Sequence, residues 1–402
     1  MADTHNDMSG WISGNAIQAG TVHIGASMRA ALAGLPPVPS GFTGREDMLA
    51  VLRDALSESS PTPVWVVAGL AGVGKTTVVL KAAHEAAPDF PGGVLFVDLQ
   101  GYADHPMEPL GALSTFLHAL GEQSPASQAA CEQVYRSRLA DAERTLIVLD
   151  NASSRDQVRP LLPGSPRHKV LITSRHTLAD LDAQLVDLNV LTLEEGIAQL
   201  AKALKDERVA AEPEAAQELV DLCGRLPLAL GIVAALLRSD PELLLSEFAD
   251  DLRDEDERLN DLSYGPNTTV RRAFDLSYQR LSEDEARLFR LMSLVSGDIS
   301  TGMAAGVANV SPRQAHRLLA GLRRAHMAET SSPKGWYRLH DLVRLYSTER
   351  RKIEVDQQEL QAAAFRLYIA IKRELVDTGL MSEAEFESGM RHPGGPGAAF
   401  DQ

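Results

Sequence analysis

The sequence predicts an α/β domain, a parallel sheet covered by helices, followed by a helical domain and then by a small domain of three helices and a β-hairpin. Three observations carry that reading. Four short β-rich runs at 64–67, 94–97, 146–149 and 170–173 alternate with longer helical patterns. Runs that are apolar on both faces belong to a sheet covered on both sides, and strands separated by helices pair in parallel. From Leu193 onward the apolar residues recur with helical period. Residues 268–352 then give helical patterns at 270–281, 283–295 and 312–327, two strand-like pieces around Ala328-Glu329-Thr330 and Trp336-Tyr337-Arg338-Leu339, and a last helix from Asp341.

In order along the chain, residues 1–34 are rich in Gly, Ser, Ala and Asn, and Leu35-Pro36-Pro37-Val38-Pro39-Ser40 reads as a stiff extended linker. The α/β domain is assigned to 35–190 and the helical domain to 191–262. The acidic run at 250–257 is read as an exposed connection, the alternative being a docking site for a basic partner. Three helices followed by a hairpin at 263–352 is the layout of a winged helix. The rest, 353–402, holds an amphipathic helix (Leu360, Ala364, Leu367, Ile371, Leu375) and a Gly/Pro end expected to fray.

Composition narrows the function classes. The 402 residues carry 39 Lys and Arg against 55 Asp and Glu, a net charge of −16, which argues against a protein that coats nucleic acid or anionic membrane. Cys131 and Cys223 stand far apart and outside any metal-ligand or disulfide pattern. The first residues lack a secretory signal, and the longest apolar stretch, 226–237, is shorter than the ~20 residues a membrane span needs. The expected location is the cytoplasm, with no membrane partner.

The strongest motif is Gly69-Leu70-Ala71-Gly72-Val73-Gly74-Lys75-Thr76, a full GxxxxGK[ST] directly after a predicted strand and before a helix expected at 77–87. Glycines let successive N–H groups turn toward phosphates, and the helix N-terminus adds positive potential. Lys75 then reaches the β- and γ-phosphates and Thr76 ligates Mg²⁺. The expected cradle is therefore Gly69, Gly72, Val73, Gly74, Lys75, Thr76 and Thr77, in an α/β P-loop NTPase domain. A second acid should hold the metal's water shell from the end of another central strand, and Leu146-Ile147-Val148-Leu149-Asp150 supplies it. Asn151 follows where a carboxylate often activates water; it orients a water without taking its proton, so slow hydrolysis is expected. A third strand ends in Thr173-Ser174-Arg175, placing a guanidinium at the edge where a γ-phosphate would sit. Lys75, Asp150 and Arg175 are thus the candidate catalytic residues, and Thr76 and Asp150 the candidate metal pair, for ATP or ADP with Mg²⁺.

With Phe42-Thr43-Gly44-Arg45-Glu46, Gly224-Arg225-Leu226-Pro227-Leu228 and Leu339-His340-Asp341 added in order, the set resembles the NB-ARC branch of the STAND ATPases over about 310 residues, 42–350. The resemblance implies that Arg45 flanks the adenine, that Pro227 packs on the base, and that His340 contacts the β-phosphate of ADP and locks a closed state. On their own, Arg225-Leu226-Pro227-Leu228 read as a helix start and His340-Asp341 as a helix cap. It also implies a switch, closed with ADP, that forms a homo-oligomer with ATP. Residues 12–25 are similar to short amyloid-signalling motifs ahead of NB-ARC modules, and Ile17-Gln18-Ala19-Gly20 resembles the core of the RIP homotypic interaction motif; an effector protein would be recruited there. A flexible leader is the other reading of that segment. The competing function is a DNA-binding transcriptional regulator of specialised metabolism using the third winged-helix helix, which carries Arg313, Arg317, Arg323 and Arg324 and no acid. Immunity or programmed cell death and metabolic control both stay open.

Overall fold

A computed structural model describes residues 34–39, 41–265, 268–377 and 382. The signalling motif expected at 12–25 and the Gly/Pro end lie outside the described residues.

Five strands, β1 (Val64–Ala68), β2 (Val94–Asp98), β3 (Leu146–Ala152), β4 (Lys169–Ser174) and β5 (Gln184–Asp187), form one parallel sheet in the order β2-β3-β4-β1-β5. Its period-two alternation divides the core. Val67, Val148 and Leu171 face Leu52, Val79 and Ala83 of the Glu46–Leu56 and Lys75–Ala86 helices. Val66, Ile147 and Ile172 face Phe116, Leu117 and Tyr135 of the Pro109–Ala119 and Gln128–Asp141 helices on the other side. Both faces are dry, which is why the central runs read as continuously apolar. β5 was not foreseen. It is a four-residue edge strand with exposed Gln184 and Asp187 at its ends, too short and too polar to stand out from a loop.

The chain leaves β1 for the far edge and returns through β3 and β4, so β1 lies between β4 and β5. Such a change of direction opens a crevice at the carboxyl ends of the strands.

The helices after the sheet begin with Leu193–Leu204, whose Thr192 and Glu195 form a capping box. Pro213–Leu222 and Pro227–Ser239 follow, joined by a turn in which Gly224 and Arg225 both take positive φ. Pro227 opens its helix, where a missing N–H costs nothing. The acidic run is only partly a connection: residues 250–252 complete the Leu245–Leu252 helix, with Leu252 buried.

The third unit contains Val270–Tyr278, Glu283–Met292, Thr301–Ala308 and Pro312–Arg324, with a small antiparallel sheet β6 (Ile299–Ser300), β7 (Glu329–Ser331) and β8 (Trp336–Arg338) in the order β6-β8-β7. The Thr301–Ala308 helix and β6 are additions to the expected layout. That helix reads Thr-Gly-Met-Ala-Ala-Gly-Val-Ala, without polar contrast, because it is covered on several sides. One cover is the long Gln357–Asp377 helix, close enough that a Cβ on Gly306 would lie 2.6 Å from Ala370 Cβ. Among the described residues no helix is long and apolar enough to cross a membrane.

Candidate functional site

The crevice at the head of β1 is a cavity of about 740 Å³. β1 runs into Gly69, and the helix beyond begins at Lys75, two residues earlier than expected, with Gly74 at its N-cap. Gly72 takes φ +82°, and a Cβ there would lie 2.8 Å from Leu228 Cβ. The same contact is fixed by the Leu228 N–H, which donates to the Gly72 carbonyl at 3.1 Å. Glycine is needed at 72 both for conformation and for close approach.

Lys75 Nζ donates to the carbonyls of Gly69 at 2.9 Å and Leu70 at 3.0 Å, folding the side chain onto its own loop. Burial, with Arg175 nearby, lowers the lysine to about 7, only partly opposed by Asp150. Thr76 Oγ1 donates to Asp150 Oδ1 at 2.8 Å, and Thr173 Oγ1 donates to the same oxygen at 2.5 Å. Burial raises the Asp150 carboxyl above its usual range against the pull of those two hydroxyls, and Asp98 adds to the rise. Asn151 lies in the left-handed region at φ +59°, its N–H on Thr173 Oγ1 at 2.8 Å.

Pro39, at the end of the linker, and Gly41, Phe42, Thr43 and Arg45 after it border the cavity. Arg45 gives its backbone N–H to Glu195 Oε1 at 2.6 Å and its guanidinium to the carbonyls of Val73 at 3.2 Å and Val190 at 3.3 Å. Phe42 lines the cavity and offers its carbonyl to Lys202 Nζ at 2.6 Å. Pro227 and Gly231 supply the wall opposite, and Gln199 holds the Pro227 carbonyl at 3.1 Å.

Arg175 also lines the cavity, yet its Nη1 donates to the Ala273 carbonyl of the third unit at 2.6 Å. Its guanidinium lies 4.8 Å above the Tyr102 ring, and its N–H donates to the Tyr102 hydroxyl at 3.1 Å. His326, from the third unit, has Nδ1 3.0 Å from the Arg175 carbonyl and Nε2 3.2 Å from Asp187 Oδ1. Hydrogen bonding from His326 holds the Asp187 carboxyl below its usual range.

Of the residues singled out from sequence, Arg45, Gly72, Val73, Gly74, Lys75, Thr76, Thr77, Arg175 and Pro227 border one cavity. Asp150 stands behind Thr76, and Gly69 lies at the root of the loop under Lys75. His340 is placed elsewhere. Its Nε2 is 2.8 Å from the Gly224 carbonyl, its Nδ1 is buried without a partner, and it is outside the cavity lining. Asp341 is the first residue of its helix and His340 the N-cap, without a side-chain cap. Sequence reasoning missed Thr173 as a partner of Asp150, Asp98 in register with it on β2, and Tyr102, Gln199 and Lys202. Only Asp98, an acid at a strand end beside the Asp150 strand, left a sequence signal.

The residues present fit a nucleotide with Mg²⁺. A buried lysine whose acceptors among the described residues are its own loop carbonyls is ready for an external anion, and the volume is that of a small-molecule site. Thr76 and Asp150 are the oxygen donors a magnesium site takes, one hydroxyl and one carboxylate with room for water.

No protein-family model matches the chain. It is similar to the regulatory protein AfsR of Streptomyces griseus, 43% identical over 331 residues covering 81% of this chain and 34% of that one. AfsR of Streptomyces coelicolor is 42% identical over 325 residues, 78% of this chain and 32% of that one. The chain therefore spans about a third of the length of the curated relatives it matches. Among solved structures, the Walker-type ATPase PABY2304 of Pyrococcus abyssi has the same fold, with a TM-score of 0.54, 12% identity, and coverage of 76% of this chain and 95% of that one.

Proposed function

We propose that the chain is the nucleotide-controlled switch of a signalling ATPase of the STAND class, NB-ARC type, closed with ADP and assembling into a homo-oligomer with ATP. One observation carries the reading. Arg175 borders the phosphate end of the cavity and at the same time holds the Ala273 carbonyl of the third unit. A guanidinium recruited by a γ-phosphate gives up that carbonyl, so the two nucleotides favour different arrangements, as any ligand-driven switch requires.

The roles follow from the contacts. Lys75 and the loop N–H groups bind phosphate, Thr76 and Asp150 hold Mg²⁺, and Arg45 and Pro227 enclose the base. Mg²⁺, when bound, supplies Lewis-acid stabilisation of phosphate charge. Asn151 in place of a carboxylate supports slow hydrolysis, suited to a timer. The AfsR relatives are regulatory proteins, which favours control of gene expression or metabolism over immunity or cell death. An effector would be recruited through 12–25 once copies cluster.

The test is to purify the protein, denature it, and identify released nucleotide by chromatography beside Lys75→Ala, then add ATP with Mg²⁺ and measure mass by light scattering. Bound ADP in the parent only, and a mass increase with ATP, are expected. A parent that is empty and binds neither nucleotide refutes the reading.

A further inference from the structure

The nucleotide cavity carries more positive charge than a 5′-phosphate chain needs. Six cations line it, Arg45, Lys75, Arg175, Lys202, Lys205 and Arg238, and no Asp or Glu does, in a chain whose net charge is −16. Lys75 and Arg175 belong to the phosphate end, and the Arg45 guanidinium is engaged by the carbonyls of Val73 and Val190. Lys202, Lys205 and Arg238 remain, and all three stand exposed at the opposite rim.

Two helices place them there. Pro227–Ser239 starts against the phosphate loop, where Pro227 Cγ lies 3.8 Å from the position a Cβ on Gly74 would take, and it carries Arg238 in its last turn. Eleven residues at 1.5 Å each put the Arg238 backbone about 16 Å farther along. The Leu193–Leu204 helix packs beside it, with Gln199 Nε2 donating to the Pro227 carbonyl at 3.1 Å and Arg238 Nη1 to the Ala203 carbonyl at 2.9 Å. Lys202 Nζ donates to the Phe42 carbonyl at 2.6 Å, which uses one of its three donors, and the Arg238 fork likewise keeps donors in hand. The Lys205 side chain has no partner among the described residues, and Asp206 beside it is held by Arg208 at 2.8 Å.

Lys205 occupies a position that does not suit lysine. It ends the Leu193–Leu204 helix at φ 61° and ψ 30°, the left-handed region where glycine is the usual residue and a side chain is strained. A helix C-terminus attracts a cation through its dipole, but that attraction does not require two such cations and Lys202 to border one cavity free of acids.

We infer that this end of the cavity binds a second phosphate, so that the ligand it takes is a nucleotide phosphorylated on its ribose as well as at its 5′ position. The inference rests on the nucleotide reading. With the 5′-phosphates on the loop and the base against Pro227, a phosphate on the ribose 2′- or 3′-oxygen extends away from the loop toward the three head groups. A neutral base edge takes single hydrogen bonds; three cations, one of them an arginine fork, match a dianion.

The experiment is competition calorimetry on the full chain, displacing ADP with adenosine 5′-monophosphate, adenosine 2′,5′-bisphosphate or adenosine 3′,5′-bisphosphate at low and high salt, with GDP beside them. Three exposed contacts together are worth about tenfold, so one bisphosphate should bind about tenfold more tightly than the monophosphate, and the isomer that gains identifies the ribose oxygen. The margin should shrink at high salt, where rim charges are screened. Lys205→Gly with Arg238→Gln should erase it and leave ADP affinity unchanged. Glycine relieves the left-handed strain at 205, so a melting temperature no lower than the parent's checks that the variant folds. Equal binding of the monophosphate and both bisphosphates, a margin that survives in the double variant, or a preference for GDP over ADP that the double variant abolishes overturns this inference alone. A parent that binds none of these nucleotides refutes the nucleotide reading and this inference with it.

Discussion

Lys75 gives the sharpest test of the site because its charge depends on what it faces. Burial holds the ammonium at about 7 against an ordinary 10.5, a deficit of about 5 kcal/mol at 1.36 kcal/mol per unit. A phosphate placed against Nζ restores the charged form. At pH 8 the free side chain is about nine-tenths neutral and the bound one fully charged, so binding takes up about 0.9 proton. The sign follows: the complex holds more protons than the free protein above pH 7, so ADP affinity falls about tenfold per pH unit there and levels off below. Calorimetric titration with ADP in buffers of different ionisation enthalpy reads the uptake directly as the slope of observed heat against buffer enthalpy. A slope near 0.9 at pH 8 that vanishes by pH 6 is expected. ADP that binds at pH 8 with a slope of zero would show Lys75 charged in the free protein and refute the desolvation argument.

Three further outcomes follow from single contacts. Asp150→Asn removes the charge proposed to hold Mg²⁺ while leaving an acceptor for Thr76, so ADP affinity should lose its Mg²⁺ dependence and persist in chelator, measured by the same titration. Gly72→Ala forces an alanine to φ +82° against Leu228 and should cost at least about 1–2 kcal/mol, read from the denaturation midpoint of the ligand-free protein; an unchanged midpoint would contradict the packing described. His326→Ala removes two contacts with the nucleotide-binding unit, worth about 1–2 kcal/mol together, and should speed amide exchange in the Val270–Tyr278 helix without unfolding the sheet.

The legible parts of the molecule were those whose physics is local. Each central strand announced itself because both faces are covered, and the phosphate loop because glycine at 72 and 74 meets a backbone demand that no other residue meets cheaply. The Thr301–Ala308 helix gave no signal, since its amphipathic contrast was erased by neighbours packing on several sides. Partners brought in from distant strands were harder to read: nothing in Thr173 states that it will stand beside Asp150, and Asp98, legible as an acid at a strand end, gains its place beside Asp150 only once the register β2-β3-β4 is known. His340 shows the same limit from the other side. Its position in the order of motifs was readable, but its neighbour, the Gly224 carbonyl, is set by how the Asp341–Glu354 helix meets the turn before Pro227.

That turn and the Arg175 loop are two of the places where the third unit touches the machinery around the cavity, and they differ in kind. At Gly224 one hydrogen bond, from His340 Nε2 to the carbonyl at 2.8 Å, is backed by close packing: a Cβ would lie 2.3 Å from His340 Cε1, so the histidine fills the space glycine leaves, one turn from Pro227 on the cavity wall. At Arg175 the contact is polar and doubled, the side chain holding Ala273 while the carbonyl is held by His326. A ligand acting on the guanidinium alone leaves the His326 contact intact, so the third unit can tilt about that point before it separates. A ligand moving Pro227 acts through the turn on His340 instead. Two contacts of unequal type, both within reach of one cavity, allow phosphate and base to bias the same interface by separate routes.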